Sequence, residues 1–390
     1  MSGTLEPPPL VLHLIRQRDI GGLDSGLINL IRHMPRHRYR HAIVCLQDDA
    51  GETSAASTNG VEVISLHKGA GHDFGHYLRM FKVLRTLRPD LIHTCNLPAF
   101  EAQLLAAMAG IKLRVHAENG RDRPERFGAR LKHQLLERLL RPLIGQFIAV
   151  DAELERWLIE SVGAEPERVS QISNGVDSVE FHPRLGPPAA VGPPGFMQHD
   201  AFVIGAIGPM TEAAGCDTLV DTFLRLSGAP DPVLRRLRLL IVGDGPARAA
   251  CLDKLAHAGA GQRAWLPGLR DDNARLLRAM DLFVQPAPVD GGASAILEAM
   301  ASGLPVIAPA VHPNTELIHA GLTGILLPPA SPNLLASALA DYCRMPEMAI
   351  RHGARARHLV IAHHSMPAMA RRYLAVYDKL TCALAPSNGP

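Results

Sequence analysis

The chain has 390 residues, 47% of them hydrophobic and 20% charged, and a formal net charge of +2. This composition is that of a globular protein too long for one compact core, so two domains are expected. A near-neutral balance calls for no nucleic-acid partner. No apolar run approaches the roughly 20 residues that cross a bilayer, and the 6 cysteines have neither CxxC nor zinc-ligand spacing.

In chain order, the start MSGTLEPPPLVLHLIRQRD has no basic n-region and only a short apolar run, so no signal peptide is expected. Scattered thiols fit a reducing cytosol. LVLHLI (10–15) reads as a strand, and DSGLINLIRHM as a helix with Leu27, Leu30 and Ile31 on one face. Between them, IRQRDIGGLDSG places Gly21 and Gly22 in a strand–loop–helix turn. That turn either cradles a phosphate or sugar oxygen at a helix N-terminus or only reverses the chain. Further strands are expected at RHAIVCL, VEVISL, DLIHT, LRVHA and QFIAV, separated mostly by helical stretches. That βαβ rhythm points to a doubly wound α/β fold with a mostly parallel sheet. His116 ends the LRVHA strand ahead of a polar run (Glu118, Asn119, Arg121, Asp122, Arg123), and His93 lies similarly in DLIHTCN. Each is either structural or directed into a cleft.

Two helical stretches carry basic faces: Arg79, Lys82, Arg85 and Arg88 on the first, and Arg130, Lys132, Arg138 and Arg141 among leucines on the second. Such faces suit either a solvated surface or an anionic membrane.

The rhythm breaks after VSQISNGVDSVEFHP at RLGPPAAVGPPGFMQHD, whose Pro and Gly density predicts a linker. A second alternating series follows: FVIGAI, LRLLIVGDG, RAWLPG, LFVQP, PVIAP and GILLPP. The expected domains are 1–184 and 201–364, joined by 185–200, with a helical tail over 365–390. Ligands of such folds bind near the carboxyl ends of the strands. Asp244, in LIVGDGPARAACL, is expected to cap its own helix, with Pro246 in the first turn, rather than to bind a ligand hydroxyl. In VDGGASAILEAMASGLPVIAP, Asp290 precedes Gly291 and Gly292, and Ala293 and Ser294 open a small-residue helix. Backbone N–H groups there suit a diphosphate. Glu298, one and a half turns in, is a pure acceptor suited to ribose hydroxyls. A lone carboxylate among apolar neighbours needs a partner. No nucleophile–base triad, P-loop or metal-ligand spacing is readable, and neither metal nor cofactor is expected.

These blocks together, VGDGPARAACL, LPGLRDDNARLLRAMDLFVQP, DGGASAILEAMASGLPVIAP and GLTGILLPP with GGLDSGLINLIRHMPRHRYRHAIVCL and ISNGVDSVEFHP, resemble the retaining glycosyltransferases of family 4. Within that family the first half is most similar to sugar transferases of bacterial exopolysaccharide and exosortase loci. The resemblance implies a GT-B fold, two Rossmann-like domains facing a cleft with the tail helix crossing back to the first. A nucleotide-sugar donor (UDP- or GDP-sugar) would bind the second domain, and a glycan or polyprenyl-linked glycan acceptor the first. Glu298 would hold the donor ribose, and Asp290 would stand beside the donor sugar where the family has Glu. Gly21 and Gly22 would approach the phosphates, His116 the donor sugar, and Arg270 would follow the strand whose backbone meets the base. A cytoplasmic protein, peripheral at the inner-membrane surface, is the implied location.

The chain departs from the family at GPMTEAAG (208–215), where G-R-L-x-x-x-K-G is usual: Pro209 replaces the Arg and Ala214 the Lys that neutralise the donor diphosphate. Removing one preplaced donor costs about 3 kcal/mol of transition-state stabilisation. Arg16, Arg18, Arg121, Arg123 and Arg126 are candidate replacements. Two readings follow: a working transferase, or a non-catalytic member that binds a glycan or partner. A sugar-nucleotide epimerase of the same fold is the more distant third.

Overall fold

The computed structural model describes residues 7–16, 23–47, 61–68, 73, 75–119, 127–187, 190–288 and 292–384. The chain divides into two units, the first formed by residues 1–175 with 366–390 and the second by 176–365.

In the first unit seven strands, β1 (Leu10–Ile15), β2 (Arg40–Cys45), β3 (Glu62–Ser65), β4 (Leu91–Cys95), β5 (Leu113–Glu118), β6 (Gln146–Ala149) and β7 (Val169–Gln171), form a sheet in the order β3-β2-β1-β4-β5-β6-β7. Every neighbouring pair is parallel. A parallel sheet is covered on both faces, so its strands read as continuous apolar runs. β1 shows this directly. Val11 and Ile15 enter a core with the Leu23–Arg32 and Met366–Leu384 helices, and Leu12 and Leu14 enter the opposite core with the Gly75–Leu87 and Ala102–Met108 helices. The strand order reverses between β1 and β4, which opens a crevice at their carboxyl ends.

The second unit repeats the design with six strands, β8 (Phe202–Ile207), β9 (Leu237–Val242), β10 (Ala264–Gly268), β11 (Leu282–Val284), β12 (Val306–Pro309) and β13 (Gly324–Leu327), in the order β10-β9-β8-β11-β12-β13. All neighbours are again parallel. Here the order reverses between β8 and β11.

Two boundaries differ from the sequence expectation. The first unit ends at Gly175, not at 184, because Val176 is buried in the second unit's core. Residues 185–200 are not a free linker. Phe196 is fully buried against Val203 and Leu240, and the Arg238 guanidinium donates to the Phe196 carbonyl (3.0 Å) and to Gln198 Oε1 (2.5 Å). The described residues of this stretch run through turns and bends, and the one aromatic pins them to the unit. The tail helix, Met366–Leu384, belongs to the first unit, where Tyr373 and Tyr377 are buried and the Tyr39 hydroxyl donates to Asp378 (2.9 Å).

Candidate functional site

The carboxyl edge of the second unit is assembled by the loops after β8, β9 and β11. The loop after β8, Gly208–Gly215, is stitched to the loop after β9 by backbone hydrogen bonds. The Gly208 N–H donates to Val242 O (3.0 Å), Met210 N–H to Asp244 O (2.9 Å), and Ala247 N–H back to Met210 O (2.9 Å). Gly243 (φ 139°) and Gly245 (φ 153°) permit this approach, since a Cβ at either would overlap the carbonyl of Gly208 or Met210. Met210 is fully buried and anchors the loop. Pro209 is exposed and Ala214 buried, so the positions where a basic pair was the family expectation present apolar side chains. Beneath them lies a cavity of about 20 Å³ lined by Gly208, Pro209, Ala214, Gln285 and Pro286 among others, enough for about one water. The Gln285 side chain is buried there with no partner on Oε1. Gln285 follows β11 directly and escaped notice in the sequence, where a lone amide after an apolar run carries no signal.

Asp244 does not cap its helix, as the sequence had led one to expect. Its Oδ1 accepts from the adjacent Gly245 N–H (2.8 Å), while the N-cap of the Ala247–His257 helix is Pro246 without a side-chain bond. The tight glycine turn brings the nearest N–H to the carboxylate before the helix begins. Arg270, past the end of β10, is exposed and engaged with Asp272 through Nε (2.9 Å) and Nη2 (3.0 Å).

The Gly292–Ala301 helix follows. Gly292 is buried, Ala293 half-buried and Ser294 exposed, and the helix opens without an acidic residue in its first turn. Its first N–H groups have no intrahelical acceptor. Asp290 and Gly291 lie outside the described residues, as do Gly21 and Gly22 of the first unit. Glu298 sits half-buried in this helix between the buried Leu297 and Ala299, and no side-chain hydrogen bond reaches its carboxylate among the described residues. Burial first, and the nearby Glu180 carboxylate second, push its pKa up to about 7. Glu180 is brought close by Arg357, which bonds Ala301 O at the helix end and also Phe181 O (3.1 Å), and by Arg278, which bonds Glu180 O (3.1 Å). A carboxylate desolvated, repelled by a second one and unpaired is prepared for hydroxyl donors.

In the first unit, His116 does not project from its strand. It is 1% exposed and held at both ring nitrogens, Nδ1 by Thr94 Oγ1 (2.8 Å) and Nε2 by Glu118 Oε1 (2.9 Å). The alternation of β5 sends Val115 and Ala117 into one core and leaves His116 and Glu118 on the other face, and the register sets Thr94 opposite His116. Gln103 completes the chain by donating to Thr94 Oγ1 (2.7 Å). A second buried chain crosses β2, β1 and β4: His41 Nδ1 to His13 Nε2 (3.0 Å), His13 Nδ1 to His93 Nδ1 (3.0 Å), and Tyr377 Oη to His93 Nδ1 (3.1 Å). His93 is therefore a core residue. Burial depresses all three imidazoles, His41 to about 4 and His93 to about 3. Sequence reading missed Thr94, Gln103 and His13 as partners because only strand register brings them together. Arg16 lies near Gln47 (3.4 Å), whereas Arg18, Arg121, Arg123 and Arg126 lie outside the described residues. Among the described residues no group of three or more His, Cys, Asp or Glu is placed to hold a metal ion.

With this geometry in place, comparison with known proteins is informative. The description "Glycosyltransferase Family 4" matches residues 20–180, and "Glycosyl transferases group 1" matches 201–344. The chain is 25% identical to the Escherichia coli UDP-Gal:alpha-D-GlcNAc-diphosphoundecaprenol alpha-1,3-galactosyltransferase, over 65% of this chain and 66% of that protein. It is 30% identical to the lipopolysaccharide core biosynthesis mannosyltransferase LpcC of Rhizobium leguminosarum, over 54% of this chain and 59% of that one. The chain thus spans less than two thirds of the length of these relatives. In structure it is similar to Anabaena HepE in complex with UDP, with a TM-score of 0.74 at 19% identity, covering 95% of this chain and 99% of that one. The two family matches take in most of both units, and the paired doubly wound sheets are those of the GT-B glycosyltransferases. The chain carries a family 4 glycosyltransferase domain over residues 20–180 and a group 1 glycosyltransferase domain over 201–344, on the GT-B fold.

Proposed function

We propose that the protein is a retaining glycosyltransferase that moves a sugar from a nucleotide-sugar donor, UDP- or GDP-linked, to a glycan or lipid-linked glycan acceptor in cell-surface or exopolysaccharide synthesis. The observation that carries this reading is Glu298: half-buried, unpaired and held near pKa 7 one and a half turns into the Gly292–Ala301 helix. Ribose hydroxyls would donate to it, and the N–H groups of Gly292, Ala293 and Ser294, which have no intrahelical acceptor, would face the diphosphate. In transfer, the bond from the sugar's anomeric carbon to the phosphate oxygen breaks and one to the acceptor oxygen forms on the same face. The acceptor proton goes to the leaving phosphate. No protein nucleophile is required, in keeping with the lack of a triad motif in the sequence. The printed substrates of the relatives, a UDP-linked galactose and a diphosphoundecaprenol-linked GlcNAc, support a donor and acceptor of these classes. The family resemblance would set Asp290 beside the donor sugar. His116, enclosed as it is, would act through Glu118 rather than by touching the sugar.

The loop after β8 favours a second reading. Pro209 and Ala214 leave the phosphate side without its usual cations, and three described bases of the same unit are occupied: Arg270 by Asp272, Lys254 by Asp217 and Asp221, and Arg248 by the Leu266 carbonyl. A member that binds glycan or a partner without turnover fits this. Calorimetric titration with UDP, GDP and their sugar conjugates separates the two. Micromolar binding lost in Glu298→Ala supports the transferase and names the base, while no binding by any nucleotide moves the assignment to the second reading.

Association with an anionic membrane surface is part of the proposal. Lys82, Arg85 and Arg88 are exposed on the Gly75–Leu87 helix and just after it, beside an exposed Leu78, and Leu135 and Leu139 are exposed on the Phe127–Leu140 helix. No helix among the described residues is long and apolar enough to cross a membrane. Flotation with anionic vesicles, and its loss on Lys82→Glu/Arg85→Glu, tests the contact.

A further inference from the structure

The hydrogen-bond chain at His116 has a direction. The Gln103 amide nitrogen can only donate and does so to Thr94 Oγ1 (2.7 Å), whose hydroxyl in turn faces His116 Nδ1 (2.8 Å) and, more distantly, the Val115 carbonyl (3.4 Å). At the far end the carboxylate oxygen accepts, so His116 Nε2–H donates to Glu118 Oε1 (2.9 Å). Every link is buried: Gln103 and Thr94 are 0% exposed, His116 1% and Glu118 5%. The chain ends on a carboxylate whose second oxygen, Oε2, has no partner among the described residues. The Glu118 side chain is more than nine-tenths buried, so this oxygen has few water molecules to replace a missing donor. Glu118 is also the last residue of β5, at the carboxyl edge where sheets of this kind bind ligands. Beside it Asn96, just after β4, holds a left-handed backbone (φ 61°) and accepts the Asn119 N–H on its Oδ1 (2.9 Å), which fixes the two strand ends together.

We propose that Glu118 is a substrate-reading residue of the first unit: its Oε2 accepts a hydrogen bond from a hydroxyl of the acceptor carbohydrate, and Gln103, Thr94 and His116 are positioning residues that hold the carboxylate for it. This rests on the glycosyltransferase reading above and adds the group that reads the acceptor. A fixed negative acceptor repels phosphate, so Glu118 meets the hydroxyl face of a sugar and not the diphosphate of a donor or lipid carrier. No proton transfer through the chain is involved. Its role is to keep one oxygen occupied and the other turned out.

The test uses the full chain and two titrations, one with UDP and GDP, the other with methyl glycosides of glucose, galactose, mannose and N-acetylglucosamine followed by saturation-transfer NMR. Glu118→Gln keeps the bond to His116 through its amide oxygen but turns an N–H₂ outward. It is expected to weaken glycoside binding about tenfold or more and leave nucleotide affinity within about twofold. Thr94→Val breaks the chain without touching the ligand and is expected to weaken glycoside binding by a smaller factor, with Thr94→Ser restoring it. Melting curves of all three variants report folding separately. Glycoside binding unchanged in Glu118→Gln, absent from the parent chain, or equally poor in Thr94→Val and Thr94→Ser overturns the proposal. Glycoside binding that depends on Glu118 in a chain that binds no nucleotide upholds it while removing the transferase reading.

Discussion

The two units are built on the same plan, a parallel sheet whose strand order reverses near its middle, yet they partner their buried polar groups differently. The first unit buries polar side chains in connected chains: His41–His13–His93–Tyr377 across three strands, and Gln103–Thr94–His116–Glu118 toward the edge. The second buries polar side chains too, but several of them, such as Thr222, Ser302 and Asn314, bond a single backbone carbonyl, and its edge presents Pro209, Ala214, a small cavity with the orphan Gln285 amide oxygen, and one desolvated carboxylate. Buried polar groups are costly unless satisfied. A unit that links them side chain to side chain through imidazoles is sensitive to protonation there, whereas one that leaves the Glu298 carboxylate unpaired keeps a place for an outside donor.

The largest effect should come from restoring charge to the apolar edge. Pro209→Arg with Ala214→Lys is expected to raise donor turnover by about two to three orders of magnitude if the missing cations limit the rate. Pro209→Arg alone should leave the melting temperature close to the parent's, since Pro209 is exposed. Steady-state rates with the donor identified by calorimetry check this. An unchanged rate would mean that the apolar loop does not limit the chemistry.

Glu298→Gln comes next, with about a 10- to 100-fold loss of nucleotide affinity, the worth of a hydrogen bond to a charged group. Its pH dependence sharpens the contrast. The folded carboxyl titrates near 7 against an ordinary 4.5, so the folded chain holds the proton more tightly than the unfolded one. The associated stability is complete below about pH 4.5 and is lost as pH rises through 7. Glu298→Gln should therefore stabilise the second unit at pH 8, by at most about 3 kcal/mol and less with solvent screening, and change little at pH 4.5. Nucleotide binding to the parent should tighten between pH 6 and 8 as the carboxylate ionises.

Acid should separate the units in the other direction. In the first unit the imidazoles are depressed below their ordinary 6.5, so their contribution is present above pH 6.5 and is lost as pH falls toward 4 and 3. For His41 alone the difference corresponds to about 3 kcal/mol. Hydrogen exchange at pH 4.5 should show β1, β2 and β4 losing protection before β8 and β9. His13→Asn should blunt that difference.

The smallest effect is expected at the surface. Lys254 bridges Asp217 (2.5 Å) and Asp221 (2.8 Å) in a solvated setting. Lys254→Ala should cost no more than about 1 kcal/mol in chemical denaturation and fade further in high salt.

Much of the fold was legible because it rests on local pattern. Apolar runs such as LVLHLI and LRLLIV, with helices between them, are the direct print of strands buried on two faces. Glu298 was legible for a related reason: a single charge inside an apolar helix has to find a donor. The sequence misled where a residue's partner lies far along the chain. Pro and Gly between 185 and 200 predicted a free linker, but Phe196 settles against Val203 and Leu240 and turns it into part of the unit. Asp244 looked like a cap, but the glycine turn gives it the N–H of its own neighbour.

By itself, then, the sequence determined the class of each element, the two-unit division in outline and the acidic helix of the second unit, since all three follow from the periodicity and chemistry of neighbouring residues. Tertiary structure alone decided where His116 points, which residues hold it, and that Glu118 keeps one oxygen free. Those facts depend on register between β4 and β5 and on the placing of the Ala102–Met108 helix. Nothing local sets them, because a strand's side chains find their partners across the sheet and from the layer above it.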